Sequence, residues 1–128
     1  MNAAAAGKVY PEVAFSLDPV RVSAFRDVFD QREGVPTTFV TAAEFTVIPE
    51  LVADPELDLD LTRVLHGNQE YEFRRPLREG EILTIRSKIE SIRSLGGSTF
   101  LTLHTELVGP DGEGVCTGRL TLIEREED

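Results

Sequence analysis

Three long alternating runs in the second half of the sequence constrain its fold most. They span residues 81–92, 98–108 and 115–123, and each follows the two-residue period of a strand buried on one face. Leu95-Gly96-Gly97 separates the first two runs, and Gly109-Pro110-Asp111-Gly112 separates the last two. Both segments favour turns, and Gly96 and Gly97 are expected to adopt positive φ. The pattern predicts a three-stranded antiparallel meander.

The residues before this meander predict two further strands and a helix. A fourth long run covers 65–73, and a short alternating run covers 11–17. Asp18 and Pro19 predict the start of an amphipathic helix that ends near Asp30. The apolar face of this helix consists of Val22, Phe25, Val28 and Phe29.

A second helix is predicted over 37–48, opened by Pro36 and ended by Pro49. It is apolar nearly all round, which indicates burial, although its β-branched content would tolerate a strand on local propensity alone. The acidic stretch 53–60 shows no sustained period and predicts an exposed connection. Long strands beside one buried helix predict an α+β hot-dog fold: a curled antiparallel sheet of five or six strands wrapped around a central helix.

Composition favours one folded domain over 1–128 and disfavours several functions. A formal net charge of -10 disfavours binding to nucleic acid and to anionic membranes. No signal peptide and no run of about 20 apolar residues is present, so we expect a cytoplasmic protein without a membrane span. The single Cys116 is expected to be a small buried hydrophobe, and with two histidines it offers no disulfide and no zinc-ligand set. We therefore expect no metal and no cofactor.

Two adjacent motifs resemble the N-terminal-type domain of the MaoC-like dehydratases, a hot-dog family. Leu-His-Gly-Asn-Gln at 65–69 lies just before Phe-x-x-Pro-Leu-x-x-Gly-Glu at 73–81. Segments 7–11, 35–39 and 112–116 extend the resemblance over nearly the whole chain. Members of this family hydrate enoyl thioesters or dehydrate 3-hydroxyacyl thioesters. The resemblance therefore implies an acyl-CoA or acyl-ACP (acyl carrier protein) thioester as the ligand.

The catalytic segment of that family does not occur in this sequence. Catalytic members carry Asp-x-Asn-Pro-x-His before the central helix, where the His or Asp exchanges a proton and backbone N–H groups stabilise an enolate-like oxygen. Here the stretch 29–36 is shorter and contains neither a histidine nor Asn-Pro. Asp30 lies near the place of the family's aspartate, but a carboxylate at a helix end is the simpler interpretation. The resemblance implies a subunit that forms a heterodimer with a catalytic MaoC-like hot-dog subunit, or an acyl-binding homodimer.

Two sets of residues are candidates for substrate binding. Thr37, Thr38 and Phe39 begin the central helix, where free backbone N–H groups can donate to a carbonyl oxygen, although capping and packing explain these residues equally well. A second set suits the phosphates of CoA or phosphopantetheine, although salt bridges to surface carboxylates are the commoner role of such residues. This basic cluster consists of Arg74, Arg75 and Arg78.

The two histidines are weaker candidates for catalysis. Imidazole groups are common in catalysis, but His66 lies at the start of a strand, which favours a structural or solvent-facing role. His104 alternates with Leu103 and is expected to face away from the core.

Three functions stay open from the sequence. The first is a dehydratase-type subunit that needs a catalytic partner. The second is a stand-alone hydratase or thioesterase that uses His66, Asp30 or a glutamate in an unrecognised arrangement. The third is a non-enzymatic binder of acyl groups. In each case we expect a dimer, because the edge strand of such a sheet has unpaired backbone groups.

Overall fold

The computed structural model describes residues 1–127, which form a curled five-stranded sheet around a central helix. The strands are β1 Val13–Ser16, β2 Val64–Phe73, β3 Ile82–Leu95, β4 Ser98–Val108 and β5 Gly114–Arg125. All strand pairs are antiparallel, and the spatial order is β1-β3-β4-β5-β2. The predicted α+β hot-dog fold and its meander are confirmed.

Helix α1, Pro19–Val28, begins as the sequence predicts. The Asp18 carboxylate accepts a hydrogen bond from the Val20 N–H at 3.1 Å, and Pro19 occupies the first turn. Only part of the predicted apolar face of α1 is buried. Val22 is fully buried, but Val28 and Phe29 are 78% and 61% exposed because the end of α1 points away from the core.

The central helix covers 37–53 and has four consecutive parts. They are the 3₁₀ turn Thr37–Phe39, α2 Val40–Glu44, the 3₁₀ turn Phe45–Val47 and α3 Ile48–Ala53. The prediction that Pro49 ends this helix is wrong. Pro49 lies in the first turn of α3, where its missing N–H needs no partner and its fixed φ suits a helix.

The core lies between the central helix and the concave face of the sheet. Val40, Ala43, Val47 and Leu51 of the helix are all 0% exposed. The sheet contributes alternate residues of β3, β4 and β5, including Leu83, Ile85, Leu103, Cys116 and Leu120. The predictions for Cys116 and for positive φ at Gly96 and Gly97 are confirmed.

The stretch 53–60 is not the exposed connection that its acidic composition predicts. Leu57 is fully buried in the core. Asp54 pairs with Lys8 at 2.8 Å and accepts a hydrogen bond from the Tyr10 hydroxyl at 2.7 Å. This stretch is partly buried because the N-terminal segment packs across it and supplies partners for its charge.

A β-bulge at Gly67 sets which β2 side chains face the central helix. The pairing of β2 with β5 shifts by one residue between His66 and Asn68. The extra residue lets His66 and Gln69 face the same side although they are three positions apart. Both side chains therefore lie on the concave face, toward the central helix.

Candidate functional site

An apolar groove lies between the central helix and the β2 edge of the sheet. Its volume is about 270 Å³. The central helix contributes one wall, and β2, β5 and the connection before β2 contribute the others. The lining residues are Phe45, Ile48, Leu51, Val52, Leu59, Leu61, Val64, His66, Leu120 and Leu122. Such a concentration of apolar side chains at a concave surface suits a hydrocarbon chain.

A larger depression of about 400 Å³ lies on the outer face of the sheet near the β3–β4 turn, but five of its seven lining residues are polar. Only Leu95 and Phe100 contribute apolar side chains there. The apolar groove is therefore the better candidate for a ligand site.

A buried carboxylate, Glu44, lies next to a groove-lining residue of the central helix. Glu44 belongs to the central helix and is 0% exposed, and the next residue, Phe45, lines the groove. Its Oε1 accepts hydrogen bonds from Gln69 Nε2 and from the Tyr71 hydroxyl, both at 2.8 Å. Gln69 also donates to the Tyr71 oxygen, and Thr41 Oγ1 lies 3.3 Å from the same oxygen. We call Thr41, Glu44, Gln69 and Tyr71 the Glu44 cluster.

The second carboxylate oxygen of Glu44 has no hydrogen-bond partner among residues 1–127. Burial raises the pKa of Glu44 above its ordinary value, while the hydrogen bonds from Tyr71 and Gln69 and the charge of nearby His66 oppose that rise. Burial also raises the pKa of Tyr71, so its hydroxyl stays protonated and donates. A carboxyl group with a raised pKa near an apolar groove is a candidate for proton exchange.

Polar residues of the sheet lie beneath the free oxygen of Glu44. Tyr71, Gly118, Thr105 and Ser87 are successive cross-strand neighbours on β2, β5, β4 and β3. The Thr105 and Ser87 hydroxyls are buried and, within the described part of the chain, also lack partners. Thr105 is close enough to lower the pKa of Glu44, yet the two side chains make no hydrogen bond of acceptable geometry. Gly118 leaves the space that the carboxylate occupies.

The three residues predicted to bind a ligand at the start of the central helix lie in different environments. Thr37 and Thr38 are exposed at the beginning of the central helix, and neither lines the groove. Phe39 is 3% exposed and packs against Phe25, with ring centroids 5.2 Å apart. A ligand contact by these residues stays a prediction.

Two of the three arginines of the predicted basic cluster take part in ion pairs. Arg75 contacts Glu81 at 2.7 Å and Glu113 at 2.9 Å, and these carboxylates raise its pKa. Arg74 pairs with Glu106 at 3.4 Å. The side chain of Arg78 is exposed, outside the apolar groove. Binding of phosphates by this cluster stays a prediction.

Of the two weak catalytic candidates, only His66 reaches the groove. Its side chain is exposed and lines the groove wall, near the Glu44 cluster. Asp30 is exposed with φ of 52° in the turn after α1, and it does not line the groove. His104 lies on the outer face, 3.8 Å from Glu106. The structure thus does not bring His66 and Asp30 together in this groove.

The sequence reasoning missed Glu44, Gln69 and Tyr71. One signal could have revealed the first of them, because Glu44 is the only charged residue within the predicted buried helix 37–48. A charge at a position expected to be buried is costly unless it is paired or has a function. Gln69 and Tyr71 carry no comparable signal, since polar residues in an edge strand are ordinary.

Residues 1–127 contain neither a metal-binding cluster nor a membrane-spanning helix. No group of three or more His, Cys, Asp or Glu side chains is arranged to hold a metal ion. No helix in the described residues has the length and apolar character needed to cross a membrane.

Comparison with known proteins identifies relatives over most of the chain. Residues 21–118 match the family described as "FAS1-like, dehydratase domain region". A UPF0336 protein of Streptomyces avermitilis is 42% identical over 90 residues, which are 70% of this chain and 60% of that protein. A UPF0336 protein of Thermobifida fusca is 36% identical over 107 residues, 79% of this chain and 70% of that protein. The match to the Streptomyces relative thus spans about 60% of its length.

Solved structures share the fold at low sequence identity. One chain of the HadBC (3R-hydroxyacyl-ACP dehydratase) complex from Mycobacterium tuberculosis has a TM-score of 0.78 at 19% identity and covers 93% of this chain and 96% of its own. The (R)-hydratase from A. caviae has a TM-score of 0.68 at 13% identity, and the match covers 91% of this chain and 94% of the hydratase chain. A chain of the ChsH1-ChsH2 complex from M. tuberculosis has a TM-score of 0.67 at 14% identity, and the match covers 94% of this chain and 98% of the other. The match over residues 21–118, together with this shared architecture, shows that the chain belongs to the FAS1-like dehydratase family of hot-dog proteins.

Proposed function

We propose that this chain is the acyl-binding subunit of a two-subunit hot-dog hydratase or dehydratase that acts on acyl-CoA or acyl-ACP thioesters. The observation that carries the proposal is the position of the apolar groove directly beside β2, the edge strand of the sheet. A second hot-dog sheet that paired with β2 would cover the groove and supply the Asp and His that residues 29–36 lack.

The volume of the groove suits a ligand site that a partner subunit completes. Its volume of about 270 Å³ is slightly below the roughly 300–1,000 Å³ of typical small-molecule sites. Phe45 and Leu61 at its walls are 44% and 53% exposed, so part of this contiguous apolar surface is in contact with solvent, as at a binding site. Two of the structurally similar proteins are described as complexes, HadBC and ChsH1-ChsH2, and HadBC is described as a dehydratase.

The first test measures binding and turnover with a medium-chain trans-2-enoyl-CoA. Calorimetry should detect binding to the wild-type chain, because each buried methylene contributes about 0.8 kcal/mol. Leu61→Asp places a charge at the groove wall and should weaken binding at least tenfold. Leu95→Asp is the matched control, since Leu95 is an exposed leucine at the far β3–β4 turn. Absence of binding, or equal weakening by both variants, contradicts the proposal.

Hydration is followed in the same samples as loss of the enoyl absorbance. The chain alone should show no turnover above background, and turnover should appear when a catalytic hot-dog subunit that carries the Asp/His segment is added. Turnover by the chain alone contradicts the requirement for a partner.

The Glu44 cluster favours a second candidate, a stand-alone hydratase or thioesterase. Glu44 has a raised pKa and lies near His66, which lines the groove, so its carboxyl group is a candidate for proton exchange with a ligand there. If the chain alone turns over substrate, Glu44→Gln should abolish that activity while leaving the circular dichroism spectrum unchanged. Activity that survives Glu44→Gln but not His66→Ala would assign the reaction to the histidine.

A further inference from the structure

The β2 strand is the longer of the two edges of the sheet. It has ten residues, Val64–Phe73, whereas the opposite edge strand β1 has four, Val13–Ser16. Its outer side has a row of backbone groups that pair with no strand among residues 1–127. A long unpaired edge is a template for another strand, and proteins control by their side chains which strand it accepts.

The side chains of this edge are acidic. Glu70 and Glu72 are exposed on the outer face, because the alternate residues Gln69, Tyr71 and Phe73 face the central helix. The strand 64–73 contains no lysine and no arginine. With His66 neutral, the only formal charges of the strand are therefore the two negative ones of Glu70 and Glu72, in its second half.

Neighbouring arginines do not neutralise these two carboxylates. Arg119 is the cross-strand neighbour of Glu70, but it pairs with Glu90 at 3.3 Å. Arg74 follows the strand and pairs with Glu106 at 3.4 Å. Among residues 1–127, Glu70 and Glu72 take part in no ion pair; Glu70 accepts only a hydrogen bond from the Asn68 amide.

We propose that Glu70 and Glu72 make the β2 edge reject a second copy of this chain and select a hot-dog subunit whose edge strand carries lysine or arginine at the facing positions. Antiparallel pairing of two copies would place four carboxylates on one shared face, with no cation in either strand. Like charges that face each other across paired strands are destabilising, and such repulsion is a common means of partner choice. The proposal rests on the proposed function, since it specifies the partner of the same site.

Charge reversal within this chain tests the proposal without knowledge of the natural partner. The variant Glu70→Lys/Glu72→Lys converts the edge into the expected partner type. Sedimentation velocity then compares wild type alone, the variant alone and their equimolar mixture at about 10 µM and low salt. Each protein alone should be monomeric, and the mixture should form a 1:1 dimer with at least tenfold higher affinity than either self-association. Added salt should weaken this dimer.

The matched control is Glu33→Lys/Glu50→Lys, which changes the net charge equally at exposed sites away from β2. Its mixture with wild type should stay monomeric. A wild-type dimer as tight as the mixed dimer overturns the proposal, and so does dimerisation with the control variant or absence of any mixed dimer.

These results are independent of the test of the proposed function. If mixing fails while enoyl-CoA binding remains sensitive to Leu61→Asp, only the charge-selection proposal falls. If the mixed dimer forms but no acyl thioester binds, only the proposed function falls.

Discussion

Replacement of Gly118 by alanine tests how closely the sheet packs against Glu44. A Cβ at this position would overlap Glu44 Oε2 and lie 3.2 Å from Tyr71 Cε1. The carboxylate cannot easily retreat, because Glu44 is fixed on the buried central helix and bonded to Gln69 and Tyr71. The substitution should therefore displace the whole Glu44 cluster.

The expected cost combines two effects. Overpacking of a closed core costs roughly 1–3 kcal/mol. Separation of Glu44 from its two donors leaves buried polar groups without partners, which costs about 1–3 kcal/mol more. We expect Gly118→Ala to lower the free energy of unfolding by about 3 kcal/mol, and a domain of this size should then melt roughly 10 °C lower.

Urea and thermal unfolding followed by circular dichroism measure this change. Gly114→Ala is the control in the same strand, because its Cβ would meet only the flexible end of Arg74, and it should stay within about 0.5 kcal/mol of wild type. In a Glu44→Ala background the added methyl group gains space, so the cost of Gly118→Ala should fall by about 2 kcal/mol. An unchanged cost in that background, or equal costs for the two glycines, refutes the reasoning.

Three further predictions concern charge and the central helix. Burial raises the pKa of Glu44 above its ordinary value of 4.5, so the folded chain holds this proton more tightly than the unfolded chain. Glu44 therefore makes the stability of the fold decrease as pH rises above 4.5. Urea unfolding across about pH 4 to 8 should therefore show Glu44→Gln gaining stability relative to wild type as pH rises; a constant difference contradicts this. The Lys8 and Tyr10 hydrogen bonds lower the pKa of Asp54 from 3.8 to about 2, so its contribution is present above 3.8 and is lost as pH falls toward 2. In an acid titration followed by circular dichroism, Asp54→Asn should lose less stability than wild type as pH falls from 3.8 to about 2. An equal loss of stability in the two proteins contradicts the assignment. Pro49→Ala should change the unfolding free energy by less than roughly 1 kcal/mol in urea, since Pro49 lies in the first turn of α3; a larger gain would mean that the proline strains the helix.

Local sequence signals predict most of the sheet because they depend on near neighbours. The meander follows from the alternation in 81–92, 98–108 and 115–123 and from the glycines of its turns, all of which act within a few residues. The start of α1 is equally local, because Asp18 caps a backbone group only two residues away. These features need no knowledge of tertiary contacts.

The parts that local signals miss depend on distant partners. Leu57 is buried in an acidic stretch because the N-terminal segment, with Lys8 and Tyr10, neutralises and covers Asp54 nearby. Helical structure continues past Pro49 because a new helix, α3, begins at Ile48 after the 3₁₀ turn, which places Pro49 in its first turn.

The candidate site is harder to predict than the fold for the same reason. Its apolar walls come from the central helix, a connection and two strands, which meet only in the folded sheet. The Glu44 cluster combines residues 25 and 27 positions apart. Glu44 was detectable as a lone charge in an apolar helix, but its partners Gln69 and Tyr71 depend on the bulge that turns them toward it.

The topology of the sheet also implies an order of folding. The turns between β3, β4 and β5 are short, so these strands can pair early, whereas β2 joins β5 through contacts such as Leu65 with Ile123 that close a loop of nearly half the chain. Strand β2 and the groove beside it should then form after the meander and open before it. Amide hydrogens of β2 are expected to exchange before those of β4, and a subunit that binds this edge would slow their exchange most.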